Sequence, residues 1–369
     1  QNMILVVTSS RITGLQYHRQ IVPFASLGIE VEFTYNESEL SDDYLKKFKC
    51  ISFLREIKSD VSRYKKLGLK VHLDIDDYWV LPKNHSLYLQ YKNNGYAENT
   101  IQALKDADFV TTTTEYLGNR IKEYNHNVYV LPNAINTEEE QWQPNTIETT
   151  HNRVRFGYVA GVHHIADVEM LYPELMKLYK DETIKNKWQL LTAGYNFNQD
   201  AKGEITPNPY YKYIEQCFTG GYNHLNLNYR ELLMSNRVLE FKDMDEPYMR
   251  LNGMPILEYG KLYDSIDVAL VPLINTEFNR NKSQLKLIEA GFKKKAVIVS
   301  NVIPYCYDFT HNNVLVSEDK KWKDNIKYLV KNPNKVEDLK EKLFEYVSAR
   351  YDIKIVNIER KQIFDRWLA

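Results

Sequence analysis

Short apolar, β-branched runs alternate with longer stretches of helical periodicity, and the whole alternation occurs twice along the chain. In the first half such runs predict strands over 3–7, 30–35, 50–54, 70–75, 109–113 and 128–131. Helical patterns at 15–27, 59–67, 100–105 and 115–124 separate them. Strands spaced by helices of this length need crossover connections, which in one sheet means parallel pairing. Residues 137–153 break the rhythm: they are polar, carry Pro144 and have no period, so a linker is expected there. A second series follows, with strands over 154–159, 188–193, 238–241, 268–272, 296–300 and 313–316. Helices are expected at 168–178, 210–217, 255–266 and 282–292, and residues 196–237, rich in Tyr and Asn, form an insertion. Two helical patterns, 336–350 and 354–367, end the chain. Periodicity does not say whether the last one packs on its own half or returns to the first.

Composition narrows the class. The 369 residues are enough for about two domains on a prior of ~150 residues each. Lys and Arg total 48 against 49 Asp and Glu, a formal charge of −1, which argues against a dedicated nucleic-acid binder. Cys50, Cys217 and Cys306 are odd in number and far apart, fitting neither a disulfide framework nor a zinc site; a reducing cytoplasm is the expected compartment. The opening apolar run Met3–Val7 is a strand, too short for a membrane span or signal core. The 28 tyrosines suit core edges and sugar-binding clefts alike.

Ligands of open parallel sheets bind beyond the carboxyl ends of the strands, and several such ends here are polar. The first, 8–14, leads through Gly14 into Gln16, Tyr17, His18 and Arg19 at a helix start, where free amides attract anions. The chain has no GxGxxG pattern, which disfavours a dinucleotide site. The second is Asp74-Ile75-Asp76-Asp77, where three carboxylates repel one another unless donors surround them. Three readings are open: a metal-binding Asp-x-Asp, capping or loop anchoring, and a carboxylate facing sugar hydroxyls. The third runs from Asn281 to Glu289. On a continuous helix Lys282, Lys286 and Glu289 share a face. Two cations at a helix start oppose its dipole, so an anionic ligand would compensate them, and Glu289 could accept from two adjacent hydroxyls. Its bland alternative is a solvated charged face. A fourth, 157–167, contains Gly161, His163, His164 and Asp167, the last a candidate helix cap; a structural role for these histidines is as plausible as phosphate or sugar contact.

The segments YDSIDVALVP (263–272), FNRNKSQLKLIEAG (278–291) and VIVSNVIPY (297–305) resemble the retaining group-1, family-4-like glycosyltransferases of the GT-B fold. Gly161, His164 and Asp167 resemble that family's Gly…His-x-x-Asp element, and VLPN (130–133) the segment before its interdomain linker. The resemblance implies an α/β chain of two tandem Rossmann-like domains facing each other across a cleft. An acceptor domain would cover 1–145 and a nucleotide-sugar donor domain 146–350, with a final helix (about 351–369) crossing back to complete the first.

The resemblance also assigns roles. Glu289 matches the second glutamate of the E-x7-E element, which holds the donor ribose, while the first falls on Asn281, a departure. Lys282 and Lys286 stand for the cations on the diphosphate, flanked by Ser283, with Gly14, Arg19, Gly161 and His164 as further donor contacts. IDDYW (75–79) resembles a V-H-D-x-W segment, so Asp76 stands where a histidine beside the reacting sugar is common; Asp76, Asp77 and Lys282 are the catalytic candidates. Tyr17 and Arg19 resemble a Y-x-R element facing the cleft.

The implied activity is transfer of a sugar from a UDP- or GDP-linked donor to a glycan or lipid-linked acceptor, with retention and without a metal or other cofactor. No nucleic-acid partner is expected. The setting would be cytoplasmic, with peripheral contact at the inner membrane face for a lipid-linked acceptor. A non-catalytic sugar or nucleotide binder and a sugar-nucleotide epimerase on the same scaffold are the alternatives.

Overall fold

The structure, a computed structural model, describes residues 2–144, 152–235, 245–310 and 312–369. The chain forms two compact units. The first comprises Gln1–Thr137, Thr276–Ile288 and Ala349–Ala369; the second comprises Glu138–Asn275 and Glu289–Ser348.

In the first unit six strands, β1 (Met3–Val7), β2 (Glu30–Thr34), β3 (Cys50–Leu54), β4 (Lys70–Ile75), β5 (Phe109–Thr112) and β6 (Val128–Val130), form one parallel sheet in the order β2-β1-β3-β4-β5-β6. Interior strands of such a sheet are covered on both faces, so they read as unbroken apolar runs. All four residues of β5 are buried, as are Cys50–Phe53 of β3. Edge strand β2 instead carries Glu30 and Phe33 to the surface. Leu5, Ile51, Val71, Leu73 and Val110 anchor the core.

The second unit repeats the plan with β7 (Val154–Val159), β8 (Trp188–Tyr195), a hairpin of β9 (Phe197–Gln199) and β10 (Ile205–Pro207), β11 (Tyr248–Asn252), β12 (Val268–Val271), β13 (Ala296–Ser300) and β14 (Leu315–Ser317). Its six-stranded parallel sheet runs β11-β8-β7-β12-β13-β14, the doubly wound order 3-2-1-4-5-6 when its strands are counted in sequence. Its core gathers Phe156, Leu190, Tyr248, Val268, Leu270 and Ile298.

The final helix, Ile353–Leu368, belongs to the first unit. Asn357 donates to the Pro23 carbonyl at 2.9 Å, Phe364 packs edge-on to Phe24 and Phe109, and Trp367 stacks on Phe109 at 4.9 Å. The return that sequence periodicity left open is therefore made.

Several elements differ from their expected form. The helix expected over 15–27 is short α-turns around a wider π-type turn, Tyr17–Ile21, in which the Val22 amide reaches back to the Tyr17 carbonyl. Pro23 follows, and its missing N–H cannot serve the carbonyl four residues earlier; the widening precedes it directly. The helix expected over 255–266 is a 3₁₀ segment, Tyr259–Ser265. The strand expected over 238–241 lies outside the described residues, whereas β11 was not expected. The helix expected over 282–292 is two pieces, Glu277–Arg280 and Leu285–Phe292.

Candidate functional site

Sheet order locates the polar strand ends. In each sheet the chain winds first one way and then the other, and the crevice forms where the direction changes. In the first unit that point lies between β1 and β3, in the second between β7 and β12.

At the second unit's switch point, β7 runs out through Gly161 into the short turn Val162–His164 and then the helix Ile165–Tyr179. Asp167 does not cap that helix, as its sequence position suggested. It is buried in the first turn, where Oδ2 lies 2.9 Å from His164 Nδ1 and Oδ1 accepts from the Ile274 amide at 2.7 Å. Ile274 follows β12, so one carboxylate ties together the two loops that flank the crevice. A Cβ placed on Gly161 would meet no atom within 4 Å, so its backbone borders open space. Glu289, 2% exposed, accepts from the Tyr263 hydroxyl at 2.7 Å. Burial, reinforced by the charge of Glu289, pushes the Tyr263 hydroxyl well above the ordinary tyrosine range and keeps it a donor. The hydroxyl of Tyr158 on β7 is buried without a hydrogen-bond partner among the described residues.

In the first unit the carboxylates after β4 are already engaged. Asp74 forms a buried bidentate pair with Arg19, Nε–Oδ1 2.8 Å and Nη2–Oδ2 2.7 Å, and Thr111 donates to the same carboxylate at 2.5 Å. Arg19 Nη1 also donates to the Leu131 carbonyl at 2.9 Å. This corrects the expectation that Tyr17 and Arg19 face a ligand: both are buried, and Arg19, 3% exposed, spends its donors inside the protein.

Asp76 is held in a second bidentate pair, by Arg55 at 2.6 and 2.9 Å. Burial opposes its ionisation, but the Arg55 charge and hydrogen bonds prevail and hold the carboxyl below the usual range. Of the three readings of this cluster, Asp74 and Asp76 thus follow the anchoring one. Asp77 faces Lys282, whose Nζ is 3.6 Å from Oδ2 and 4.5 Å from the centre of the Phe278 ring.

The remaining candidates lie on 281–289. Lys282 precedes the helix Leu285–Phe292, so it does not share a continuous helical face with Lys286 and Glu289, a second correction. Asn281 and Ser283 make local side-chain hydrogen bonds that compete with helix, to the Glu277 carbonyl and from the Leu285 amide, and Ser283 Oγ also accepts from the distant Asn133 Nδ2 at 2.9 Å. Asn281 is fully buried and donates to the Glu277 carbonyl at 2.8 Å; its Oδ1 has no hydrogen-bond partner among the described residues. Lys286 is half-buried in the first turn of that helix, and Gly14 opens the first helix of the chain, capped by Gln16 Oε1 on the Thr13 amide at 3.0 Å. The structure thus brings Asp77 to Lys282 and His164 to Asp167, while Arg19 and Asp76 pair with other residues.

Three participants escaped sequence reasoning. Glu277 is gripped by Arg120, by Arg280 at 3.3 Å and by the Tyr116 hydroxyl at 3.1 Å. Tyr263 orients Glu289. Arg55, which holds Asp76, adopts a left-handed backbone with φ 66°. Local pattern announces none of these roles, because, Arg280 apart, each partner is distant in sequence.

No family model matches the sequence, and no curated protein does. Solved structures do match. Sucrose-phosphate synthase from Thermosynechococcus elongatus superposes with a TM-score of 0.67 at 13% identity, over 99% of each chain. HepE of Anabaena, in complex with UDP, gives 0.66 at 10% identity over 99% of this chain and 100% of its own. A glycosyltransferase from Rickettsia africae gives 0.60 at 11% identity, covering 100% and 99%. This is the GT-B fold. Two parallel six-stranded sheets in series, with the terminal helix returned to the first unit, are the GT-B layout across the whole chain.

Proposed function

We propose that the chain is a glycosyltransferase that moves a sugar from a nucleotide-diphosphate donor to a glycan or lipid-linked acceptor, with retention and without a metal. The observation that carries this reading is Glu289: a buried carboxylate, fixed by Tyr263, on the segment that follows β12 of a doubly wound sheet. A ribose presents two adjacent hydroxyl donors, and an oriented carboxylate is their natural acceptor. The Asp167 tether supports the same reading, since it rigidifies the loops beside Gly161, where a diphosphate could approach backbone closely.

In this proposal Lys282 and Lys286 neutralise the negative charge that develops on the departing nucleotide diphosphate, with Asn281, Ser283 and His164 as further polar contacts. Asp77, 3.6 Å from the Lys282 ammonium, positions that cation. Asp76, with both oxygens engaged by Arg55 and its carboxyl held below the usual range, anchors the end of β4 in this proposal and is not a general base. The leaving phosphate then serves as the base for front-side attack. HepE is a complex with UDP, which makes UDP-linked sugars the first donors to test and GDP-linked sugars the second. No described helix is long and apolar enough to cross a membrane; in this proposal a lipid-linked acceptor would bring a cytoplasmic protein to the inner membrane face.

The test is a thermal-shift and transfer screen with UDP- and GDP-sugars. Glu289→Gln should weaken donor binding by about 10- to 100-fold, the equivalent of a charged hydrogen bond worth ~1.5–3 kcal/mol. If no sugar nucleotide raises Tm, or Glu289→Gln binds as the parent does, the reading fails. Asn281, standing where the family has a glutamate, favours one alternative: a sugar-nucleotide binder without turnover, revealed by donor binding with neither transfer nor hydrolysis.

A further inference from the structure

The final helix, Ile353–Leu368, carries a cation into the interior of the first unit: Arg360 is only 4% exposed. Asn357, about one turn earlier, donates through Nδ2 to the Pro23 carbonyl at 2.9 Å and to the Ser26 hydroxyl at 3.0 Å. Those bonds fix the amide, so that its Oδ1 accepts from Arg360 Nη1. That oxygen is the one hydrogen-bond acceptor Arg360 has among the described residues. A guanidinium presents five N–H donors in a rigid fork, so most of this fork is unused. Buried donors without acceptors are costly and uncommon.

The charge is uncompensated as well. The carboxylate that acts most on Arg360 is Asp74. Its oxygens are already taken, by Arg19 at 2.8 and 2.7 Å and by the Thr111 hydroxyl at 2.5 Å. Arg19 acts on Arg360 as a second cation, and Glu359, on the same helix, is exposed to solvent. His72 beside them is neutral at pH 7, because burial lowers its pKa to about 3. Arg19 and Arg360 against Asp74 therefore leave a buried charge of +1. Burial, with Arg19 adding and Asp74 opposing, lowers the Arg360 pKa to about 9, so the guanidinium is still charged at pH 7. A buried charge is paired or neutralised. Arg360 is not neutral and has no carboxylate of its own, so its complement comes from solution. The deficit is a single charge and the opening is narrow, which favours a small, weakly hydrated monovalent ion over a phosphate.

We propose that Arg360 is the base of a halide site, in which a chloride-sized anion accepts from its free N–H groups and secures the return of the final helix to the first unit. The site lies apart from the residues assigned to the donor, and it stands or falls independently of the transferase reading.

The test uses the full chain. Tm is measured in sodium gluconate and in sodium chloride at equal ionic strength, for the parent and for Arg360→Met. With a Kd of ~10 mM, ~100 mM chloride should raise the parent's Tm by about 3–6 °C over gluconate. Arg360→Met should lose that increment. Crystals of the parent grown with bromide in place of chloride should show an anomalous-scattering peak at the guanidinium. If Arg360→Met does not fold, the bromide peak carries the test alone. No bromide at Arg360, a Tm that follows ionic strength alone, or a chloride increment undiminished in Arg360→Met would overturn the proposal. So would a larger Arg360-dependent increment from phosphate than from chloride, since the site would then take a bulkier, multivalent ion.

Discussion

Replacing Arg19 by methionine keeps the length of the side chain and removes its charge. The partner left behind, Asp74, is buried, and both side chains of the pair are nearly inaccessible, at 2% and 7%. Asp74 would lose two of its donors, the Arg19 Nε and Nη2 groups at 2.8 and 2.7 Å, and keep Thr111. An ion pair of this kind adds little over an apolar isostere, but removing one member leaves an uncompensated charge and costs about 3–5 kcal/mol. For a unit of this size 1 kcal/mol moves Tm by about 2–4 °C, so Arg19→Met should lower it by roughly 6–20 °C. The double variant Arg19→Met/Asp74→Leu removes the orphaned charge and should recover most of that loss. Urea denaturation at pH 7, followed by tryptophan fluorescence on all four members of the cycle, measures the coupling directly. A single-variant cost below about 1 kcal/mol, or a double variant as unstable as the sum of the singles, would refute the reasoning.

Three further outcomes follow from the same geometry. His72 is buried between Ser52 and Thr111; burial, with Arg360 and Arg19 adding and Asp74 opposing, lowers its pKa to about 3. The unfolded imidazole titrates near ~6.5, so between there and about 3 the unfolded chain holds the extra proton and stability falls as pH drops, by up to ~1.4 kcal/mol per pH unit. Unfolding free energies at pH 7 and pH 5 should show that slope in the parent and a shallower one in His72→Gln. A Cβ on Gly260 would lie 2.5 Å from the Gln141 carbonyl oxygen and 2.9 Å from the Trp142 ring, so Gly260→Ala should destabilise by about 1–3 kcal/mol or more, read from urea midpoints. Asp167→Asn keeps one acceptor for the Ile274 amide but not the charge facing His164; it should cost less in Tm than Asp167→Ala, and calorimetry on the pair separates the two contacts.

The strand ladder was legible in the sequence for a physical reason. A parallel strand covered on both faces has to be apolar throughout, so runs such as Ala296–Ser300 announce themselves without knowledge of their neighbours. β11 was missed because it carries Arg250, and a buried cation in a strand makes sense only beside its partner. That partner is Glu215, Nε–Oε2 2.8 Å away but 35 residues earlier in the chain. The helix expected to start at 282 failed differently, since Asn281 and Ser283 find hydrogen bonds that local periodicity does not register.

By itself, then, the sequence determined two α/β halves, their order, and which polar strand ends could carry chemistry, because burial on a sheet imposes a pattern within a few residues. Tertiary structure alone decided what each charged group does. Asp74 and Asp76 are the same residue type two positions apart, yet one meets Arg19 and the other Arg55, from two different segments of the chain. The return of the last helix to Pro23 and Phe109 is of the same kind. A carboxylate's role is set by the donors within about 3 Å of it, and those are brought there by the fold, not by the neighbouring letters.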